Sequence, residues 1–144
     1  MDDGLVDEGL VDDGLVDDGL LDYVWIWVDE EGETHLEDVV AGHDVAPAER
    51  GVAELVVSRP VLVDRVHFVT VHAEAQVPDW HCAPRRQFVV FLDGWVRLST
   101  SDGDRRRLPA GSVVLVEDVV GKGHVTEHEP GERRVLVIPL DPEG

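Results

Sequence analysis

The most constraining feature of this sequence is a succession of short β-branched and aromatic runs, each ended by glycine, proline or aspartate. The first run, Tyr23–Val28, stops at an acidic turn, and the run 87–92 stops at the turn pair Asp93 and Gly94. No window of helical length carries an apolar stripe, and the weak candidate for a short helix is 46–53. Short strands separated by turns predict an all-β fold, either a sandwich, a barrel or a jelly roll.

The remaining runs have the same β-branched character and lie between turn residues, at the regular spacing that is typical of such folds. At 144 residues the chain has about the length of one domain, which can bury a proper core without covalent staples. The mouth of a small barrel is a usual place for a small-molecule pocket. The further predicted strands are 51–57, 61–66, 67–75, 95–100, Arg105–Leu108, Val113–Val116, His124–His128 and 134–140.

The charge balance is strongly acidic, with 31 acidic and 12 basic residues and a formal net charge of -19. This charge repels nucleic-acid phosphates and anionic membrane surfaces, so we expect neither as a partner. A single cysteine, Cys82, excludes an internal disulfide and a multi-thiolate zinc site. The sequence shows no leader with a basic and then an apolar stretch, and no apolar run of about 18 residues, so we expect a soluble cytoplasmic protein.

The segment 1–22 differs from the rest because it repeats with a period of five residues, beginning DDGLV and DEGLV. It holds nine acids and no base, and this period places no apolar face on either a helix or a strand. We expect a disordered acidic tail, with a partner-binding segment or a weak calcium site as alternatives. The predicted domain boundary therefore separates this tail, 1–22, from a β domain at 23–144.

Two stretches of the β domain, WHCAPRRQFVVFLDG and LPAGSVVLVEDVVGKGH, resemble the two sequence motifs of the cupin family. His81 matches the first histidine of the first motif, and Gly94 matches its closing glycine. Gly111 and His124 match the two ends of the second motif. The resemblance implies a small jelly-roll barrel in which both histidines point into the interior.

The sequence departs from the cupin motifs at three positions. Ala83 stands at the second histidine position, Gln87 at the glutamate position and Asp118 where a proline is common. The similarity covers roughly 23–141 and is to a subgroup of small bacterial single-domain cupins. Because no single activity is defined for that subgroup, the resemblance predicts the fold more firmly than the function.

The resemblance implies a metal held by three histidines and one carboxylate. In this sequence His81, Gln87 and His124 are the candidate ligands, and Gln87 offers only a neutral amide oxygen. His72, on a neighbouring strand, is a further candidate if it points inward. His128 lies about 13 Å from His124 along a strand, too far for both to bind one ion. Two alternatives stay open: one divalent metal (iron, manganese, nickel or zinc), or no cofactor.

Strand alternation predicts which side chains line the pocket. If Gln87 faces inward, Val89 and Phe91 share its face, because successive side chains on a strand point to opposite sides. If His124 faces inward, Thr126 and His128 share that face. The predicted pocket therefore combines a polar end, at the two motif positions, with an apolar wall.

Further candidates flank the motifs. Trp80 and Trp95 are expected at the pocket rim or wall, with the ordinary core as the alternative. Arg85 and Arg86 are adjacent, so one of them is expected to face inward, where a guanidinium would anchor a carboxylate or enolate; the alternative pairs both with surface acids. Asp118 is predicted either as a partly buried acid or base with a raised pKa or as part of a solvated turn.

The favoured function is a cupin enzyme without a redox cofactor that isomerises, dehydrates or cyclises an apolar organic substrate, as in specialised metabolism. His124, Gln87, His81 and Arg86 would hold and polarise the reacting group. The alternatives are a metal-dependent oxygenase or isomerase that uses His81 and His124, and a non-catalytic module that binds a small ligand. Because Tyr23–Val28 is apolar on both faces, we also expect a homodimer in which a second subunit covers one of them.

Overall fold

The computed structural model describes residues 22–41, 43–73 and 79–142, and in this part of the chain the protein is all-β, with eleven strands and no helix. The predicted fold class is confirmed. Within these ranges no helix has the length and apolar character needed to cross a membrane. The strands are β1 Tyr23–Val28, β2 Thr34–Val39, β3 His43–Ala46, β4 Leu55–Ser58, β5 His67–Val71, β6 Gln87–Phe91, β7 Val96–Thr100, β8 Arg105–Leu108, β9 Val113–Val116, β10 His124–His128 and β11 Arg133–Pro139.

The chain divides into two compact units. Of the described residues, one unit contains Asp22 and 39–60, and the other contains 23–38 and 61–142. Of the predicted acidic tail, 1–21 lies outside the described residues, so its disorder and its boundary with the β domain stay predictions.

The described part of the smaller unit contains one antiparallel hairpin, formed by β3 and β4. Its turn is closed by backbone hydrogen bonds from Glu49 N to Val52 O at 3.0 Å and from Val52 N to Glu49 O at 2.8 Å. The weak prediction of a helix at 46–53 is therefore wrong. Arg50 and Gly51 have φ values of 48° and 81°, and this left-handed backbone closes a turn but cannot continue a right-handed helix.

The larger unit is a β-sandwich of two sheets. The six-stranded sheet has the order β2-β1-β9-β6-β11-β5, and the three-stranded sheet has the order β10-β7-β8. Strands β1 and β9 run parallel, whereas β6 pairs antiparallel with both β9 and β11. This arrangement is consistent with the predicted jelly-roll barrel, and it turns one face of each sheet towards a shared interior.

The core of the larger unit follows from strand alternation. On β1, Val24 and Ile26 are buried, and Val114 on the neighbouring β9 packs in the same cluster. Val96 and Leu98, on β7 of the smaller sheet, are buried against them. Full burial of each such side chain stabilises the fold by about 1.5–3 kcal/mol, so this cluster fixes which face of each strand points inward.

The outer face of β1 carries aromatic side chains. Trp25 and Trp27 stack with ring centroids 5.5 Å apart, and their indole nitrogens donate to Glu117 Oε1 at 2.7 Å and Glu37 Oε1 at 3.1 Å. The strand is therefore apolar on both faces, as its sequence indicates. The homodimer inferred from that pattern stays a prediction.

Two strand predictions need correction or limits. The run 61–66 forms no strand; it is an exposed segment tied to the sandwich by a hydrogen bond from Asp64 N to Pro139 O at 2.9 Å. The predicted strand 67–75 ends at Val71, and 74–78 lies outside the described residues. Apolar residues alone predicted the first run, but no neighbouring strand is available to pair with it, so its side chains stay in solvent.

Candidate functional site

The site begins with a backbone bridge between two histidines that are far apart in sequence. His81 N donates to His124 O at 3.0 Å, and His124 N donates to His81 O at 2.9 Å. This reciprocal pair places the two side chains side by side, with ring centroids 4.7 Å apart. The convergence predicted from the two cupin-like motifs is therefore present in the structure.

Gly123 makes this bridge possible. Its φ is +80°, and a Cβ at this position would lie 2.4 Å from the carbonyl oxygen of His81. Its own carbonyl accepts a hydrogen bond at 2.7 Å from the hydroxyl of Thr34, a buried residue at the start of β2. Only glycine meets both the backbone conformation and the close approach, so this position fixes the spacing of the two imidazoles.

Both histidines open into a cavity of about 250 Å³ between the inner faces of the two sheets. Most of its wall is apolar and comes from β5, β6, β9 and β11 of the six-stranded sheet, together with Leu98 of β7. No Asp, Glu, Lys or Arg of the described residues lines it. The polar lining residues are His81, Gln87, His124, Thr126 and His128.

A buried carboxylate holds the His124 ring. Asp118 is 0% exposed, and its Oδ2 lies 2.6 Å from His124 Nδ1. A carboxylate can only accept here, so the proton of the neutral ring belongs on Nδ1 and the lone pair on Nε2. The other Asp118 oxygen, Oδ1, is buried and has no hydrogen-bond partner in the described part of the chain. Within the described residues, the contact with His124 is thus the one hydrogen bond that this carboxylate makes.

A neutral partner places the proton of the His81 ring on the same nitrogen, Nδ1. Its Nδ1 lies 3.0 Å from the backbone carbonyl of Asp79, which can only accept, so Nδ1 carries the proton. Among the described residues no hydrogen bond engages Nε2 of either His81 or His124. In their neutral forms, the two rings therefore carry their lone pairs on Nε2, with Nδ1 held by a carboxylate in His124 and by a carbonyl in His81.

Gln87 lies at the start of β6, where alternation points it inward together with Val89 and Phe91, as predicted. Its side chain is buried, and its Oε1 accepts a long hydrogen bond of 3.5 Å from Arg85 Nη1. With the oxygen turned to this guanidinium, the amide nitrogen is the group available to a ligand as a donor. Arg85 itself is half-buried and does not line the cavity.

Arg86, predicted as a catalytic residue, lies outside the cavity. Its guanidinium pairs with Glu117 Oε2 at 2.8 Å and Asp141 Oδ1 at 3.0 Å on the surface, and the bond to Glu117 raises the pKa of Arg86 above its ordinary value. Adjacent residues alternate in direction, and the burial of Gln87 turns Arg86 outward. The structure therefore agrees with the alternative prediction for Arg86, in which the guanidinium pairs with surface acids.

Three other predicted pocket residues also lie elsewhere. Trp80 is 51% exposed. Trp95 precedes the buried Val96, so it points to the outer face, where the guanidinium of Arg107 lies 4.3 Å from its ring centroid. His72 is exposed and lies 3.4 Å from Glu132 Oε2. Each of these side chains points outward from its strand or lies in a loop. The residue type alone does not reveal this orientation.

The structure refines the predictions for two residues. Asp118, one of the predicted pocket residues, does not line the cavity, and its carboxylate contacts His124 instead. His128, predicted to share the inward face of His124, lines the cavity, and burial followed by the nearby charge of Arg133 lowers the pKa of its ring. The available signals were the unusual aspartate at the proline position and the even spacing of His124, Thr126 and His128.

The donor set does not fit the metal site that the cupin resemblance implies. His81, His124 and the Gln87 amide face one another, but the second histidine position is the buried Ala83, which offers no donor. No group of three or more His, Cys, Asp or Glu among the described residues is arranged to hold a metal ion. Asp118 points its bound oxygen at His124 rather than into the cavity. We therefore assign no step to a metal.

Comparison with known proteins adds distant similarities. No family model matches the sequence, and no curated protein matches it significantly. The structure is similar to protein NMB1881 from Neisseria meningitidis, at 17% identity over 58% of this chain and 84% of that chain, with a TM-score of 0.39. It is also similar to FeII HppE, at 15% identity over 79% of this chain and 63% of that chain, with a TM-score of 0.39. These similarities are too low to assign a role to any residue of the site.

Proposed function

We propose that this chain is a cupin-like enzyme that binds a small apolar molecule in the cavity and moves a proton on it, in an isomerisation, dehydration or cyclisation. The observation that carries the proposal is the contact between His124 and the fully buried Asp118 at 2.6 Å, beside a cavity whose lining is mostly apolar. A neutral imidazole whose Nδ1 proton is held by a carboxylate is a general base at its other nitrogen.

The proposed reaction begins when His124 Nε2 takes a proton from a carbon next to a carbonyl of the bound molecule. The imidazolium that forms is stabilised by Asp118, because its positive charge develops beside a buried carboxylate. The Gln87 amide donates to the oxygen on which negative charge develops. His124 then returns the proton to a different atom of the same molecule, so no electrons are gained or lost.

The walls of the cavity suit this chemistry. They are mostly apolar, and a low-polarity lining strengthens the interactions of the few polar groups that it contains. A volume of about 250 Å³ is below that of most drug-binding pockets and accommodates a ligand on the order of ten non-hydrogen atoms. The substrate class is accordingly a small molecule of low charge with at least one carbonyl.

The test uses the full chain in D₂O with 2-hexanone and cyclohexanone as probes. NMR follows the loss of the protons next to the carbonyl, which a general base exchanges with solvent. We expect saturable exchange that His124→Gln slows by about 100-fold or more, since positioned bases contribute 10²–10⁴-fold. The matched control is His35→Gln, which removes a histidine that also contacts carboxylates but lies on the surface, and we expect no change in exchange rate.

The same preparation separates the two other functions. Saturable binding of the ketones without exchange above the buffer rate would identify a non-catalytic binding module. A full equivalent of tightly bound metal in the purified protein, lost in both His81→Ala and His124→Ala, would favour a metal-dependent enzyme and overturn the assignment of His124 as a base.

A further inference from the structure

Strand β10 lines the cavity with a polar stripe. His124, Thr126 and His128 alternate onto its inner face and all three line the cavity. The intervening Glu127 points to the other face, where its Oε1 pairs with Arg97 Nη1 at 3.0 Å. Residues two apart on a strand are roughly 6.6 Å apart, so the stripe offers hydrogen-bonding groups at regular intervals over about 13 Å.

The walls around this stripe are apolar. Val89 and Phe91 of β6, Val114 of β9 and Val135 of β11 supply no hydrogen-bonding side chain. The Phe91 ring lies 6.1 Å from the His128 ring, so hydrocarbon is adjacent to the far end of the stripe. Apart from Gln87 and His81, a molecule in the cavity therefore meets polar side chains along one edge only.

His128 is suited to recognising an uncharged polar group. Burial first, and the charge of Arg133 second, lower the pKa of its ring, and both causes favour the neutral imidazole. A neutral imidazole has one nitrogen that donates and one that accepts, and the Thr126 hydroxyl can likewise do either. Neither side chain demands a charged ligand, which agrees with a cavity lined by no ionic side chain among the described residues.

We propose that the ligand of this cavity is a narrow, uncharged molecule with oxygen functions spaced along one edge, and that Thr126 and His128 read the oxygens remote from the reacting end. This inference rests on the proposed function, because it takes the His124 end as the place of reaction. A volume of about 250 Å³ spread over the length of the stripe leaves a width of about one hydrocarbon chain or one ring seen edge-on.

The test compares α,ω-diols with 1-alkanols of equal chain length, by calorimetry on the full chain. A diol of about four carbons reaches from His124 to Thr126, and one of about eight reaches from His124 to His128. One extra hydrogen bond predicts that wild type binds each diol about fivefold more tightly than the matching alkanol. Thr126→Val should abolish this preference for the short diol alone, and His128→Phe should abolish it for the long diol alone.

The control variant is Glu127→Gln, on the outer face of the same strand, which should leave both preferences unchanged. Equal binding of diols and alkanols by wild type would overturn the inference while leaving proton exchange at His124 intact. If either variant reduced the preference for the short and the long diol equally, the inference would also fail. Such a loss would be general and would not depend on the position of the second hydroxyl. Failure of both series to bind would overturn the inference and the proposed function together. If His128→Phe does not fold, the Thr126→Val result decides.

Discussion

Within the described part of the chain, two histidines with carboxylate partners differ in their surroundings: His124 beside the cavity and His35 near the surface. His124 is 5% exposed and contacts the fully buried Asp118 through one nitrogen. His35, on β2, has 27% of its side chain exposed and contacts Asp29 at 2.8 Å and Asp102 at 3.0 Å through both nitrogens. The His124 ring thus has one nitrogen without a hydrogen bond among the described residues, whereas both ring nitrogens of His35 contact a carboxylate.

This difference separates chemistry from stability. His35 has no nitrogen left for a substrate, and it stacks on Trp27 with centroids 4.5 Å apart. It joins the β1–β2 turn, which contains Asp29, to the β7–β8 turn, which contains Asp102. His35, enclosed by two acids, connects two turns, whereas His124, held by a single buried acid, keeps the free ring nitrogen that the proposed reaction requires.

The largest effect that should sharpen this comparison is on proton exchange. Asp118→Asn removes the charge behind His124 and allows an amide to donate to Nδ1, which moves the ring proton to Nε2 and abolishes the base. We expect exchange with 2-hexanone to fall by about 100-fold or more. Asp102→Asn makes the same chemical change in the surface cluster and should leave exchange within twofold of wild type. Equal losses in both variants would show that the two clusters do not differ as described.

The second prediction concerns two glycines, each next to one cluster. Gly123 and Gly103 both have positive φ, +80° and +93°, so an alanine at either carries a similar backbone strain of about 1–2 kcal/mol. Only at Gly123 would the new Cβ meet the backbone of His81; at Gly103 nothing lies within 4 Å. We expect Gly103→Ala to lower Tm modestly and keep ketone binding, and Gly123→Ala to lower Tm further and weaken binding. Comparable losses for both would mean that the His81 approach is not tight.

The smallest predicted effect is on stability as a function of pH. The hydrogen bond to Asp29 raises the pKa of His35 above its ordinary 6.5, and the bond to His35 lowers the pKa of Asp29 below 3.8. A raised histidine pKa stabilises the fold fully below the unfolded value, and that contribution disappears as pH rises through the folded value. The Asp29 contribution disappears instead as pH falls through its lowered pKa.

The measurement is the Tm difference between wild type and His35→Gln at several pH values. We expect a difference of a few °C between about pH 5 and 6, because exposed pairs contribute little, and a smaller difference above about pH 8. A difference that grows with increasing pH would contradict the assignment of a protonated His35.

The sequence predicted the site best where local pattern alone decides the geometry. Turn residues and β-branched runs placed β6, β9 and β10 within about one residue, and alternation then turned Gln87 and His124 towards one interior. The resemblance to the two cupin motifs supplied the meeting of His81 and His124, which their separation along the chain could not.

The sequence failed where a tertiary partner decides the role of a residue. Arg86 and Trp95 were expected at the pocket, yet acids across the fold hold one and Arg107 stacks on the other. Asp118 was open between a solvated turn and a buried acid, because only the folded chain shows that its carboxylate meets His124. The acids that enclose His35 follow from pairing between distant turns, which no local pattern encodes.

The most direct test of the account is the protonation of His124, measured by ¹⁵N NMR of the imidazole nitrogens at neutral pH. The account predicts that Nδ1 carries the proton and Nε2 carries none in wild type, and that Asp118→Asn shifts the proton towards Nε2. A wild-type ring protonated on Nε2, or one whose tautomer is indifferent to Asp118→Asn, would contradict the assignment of His124 as the base.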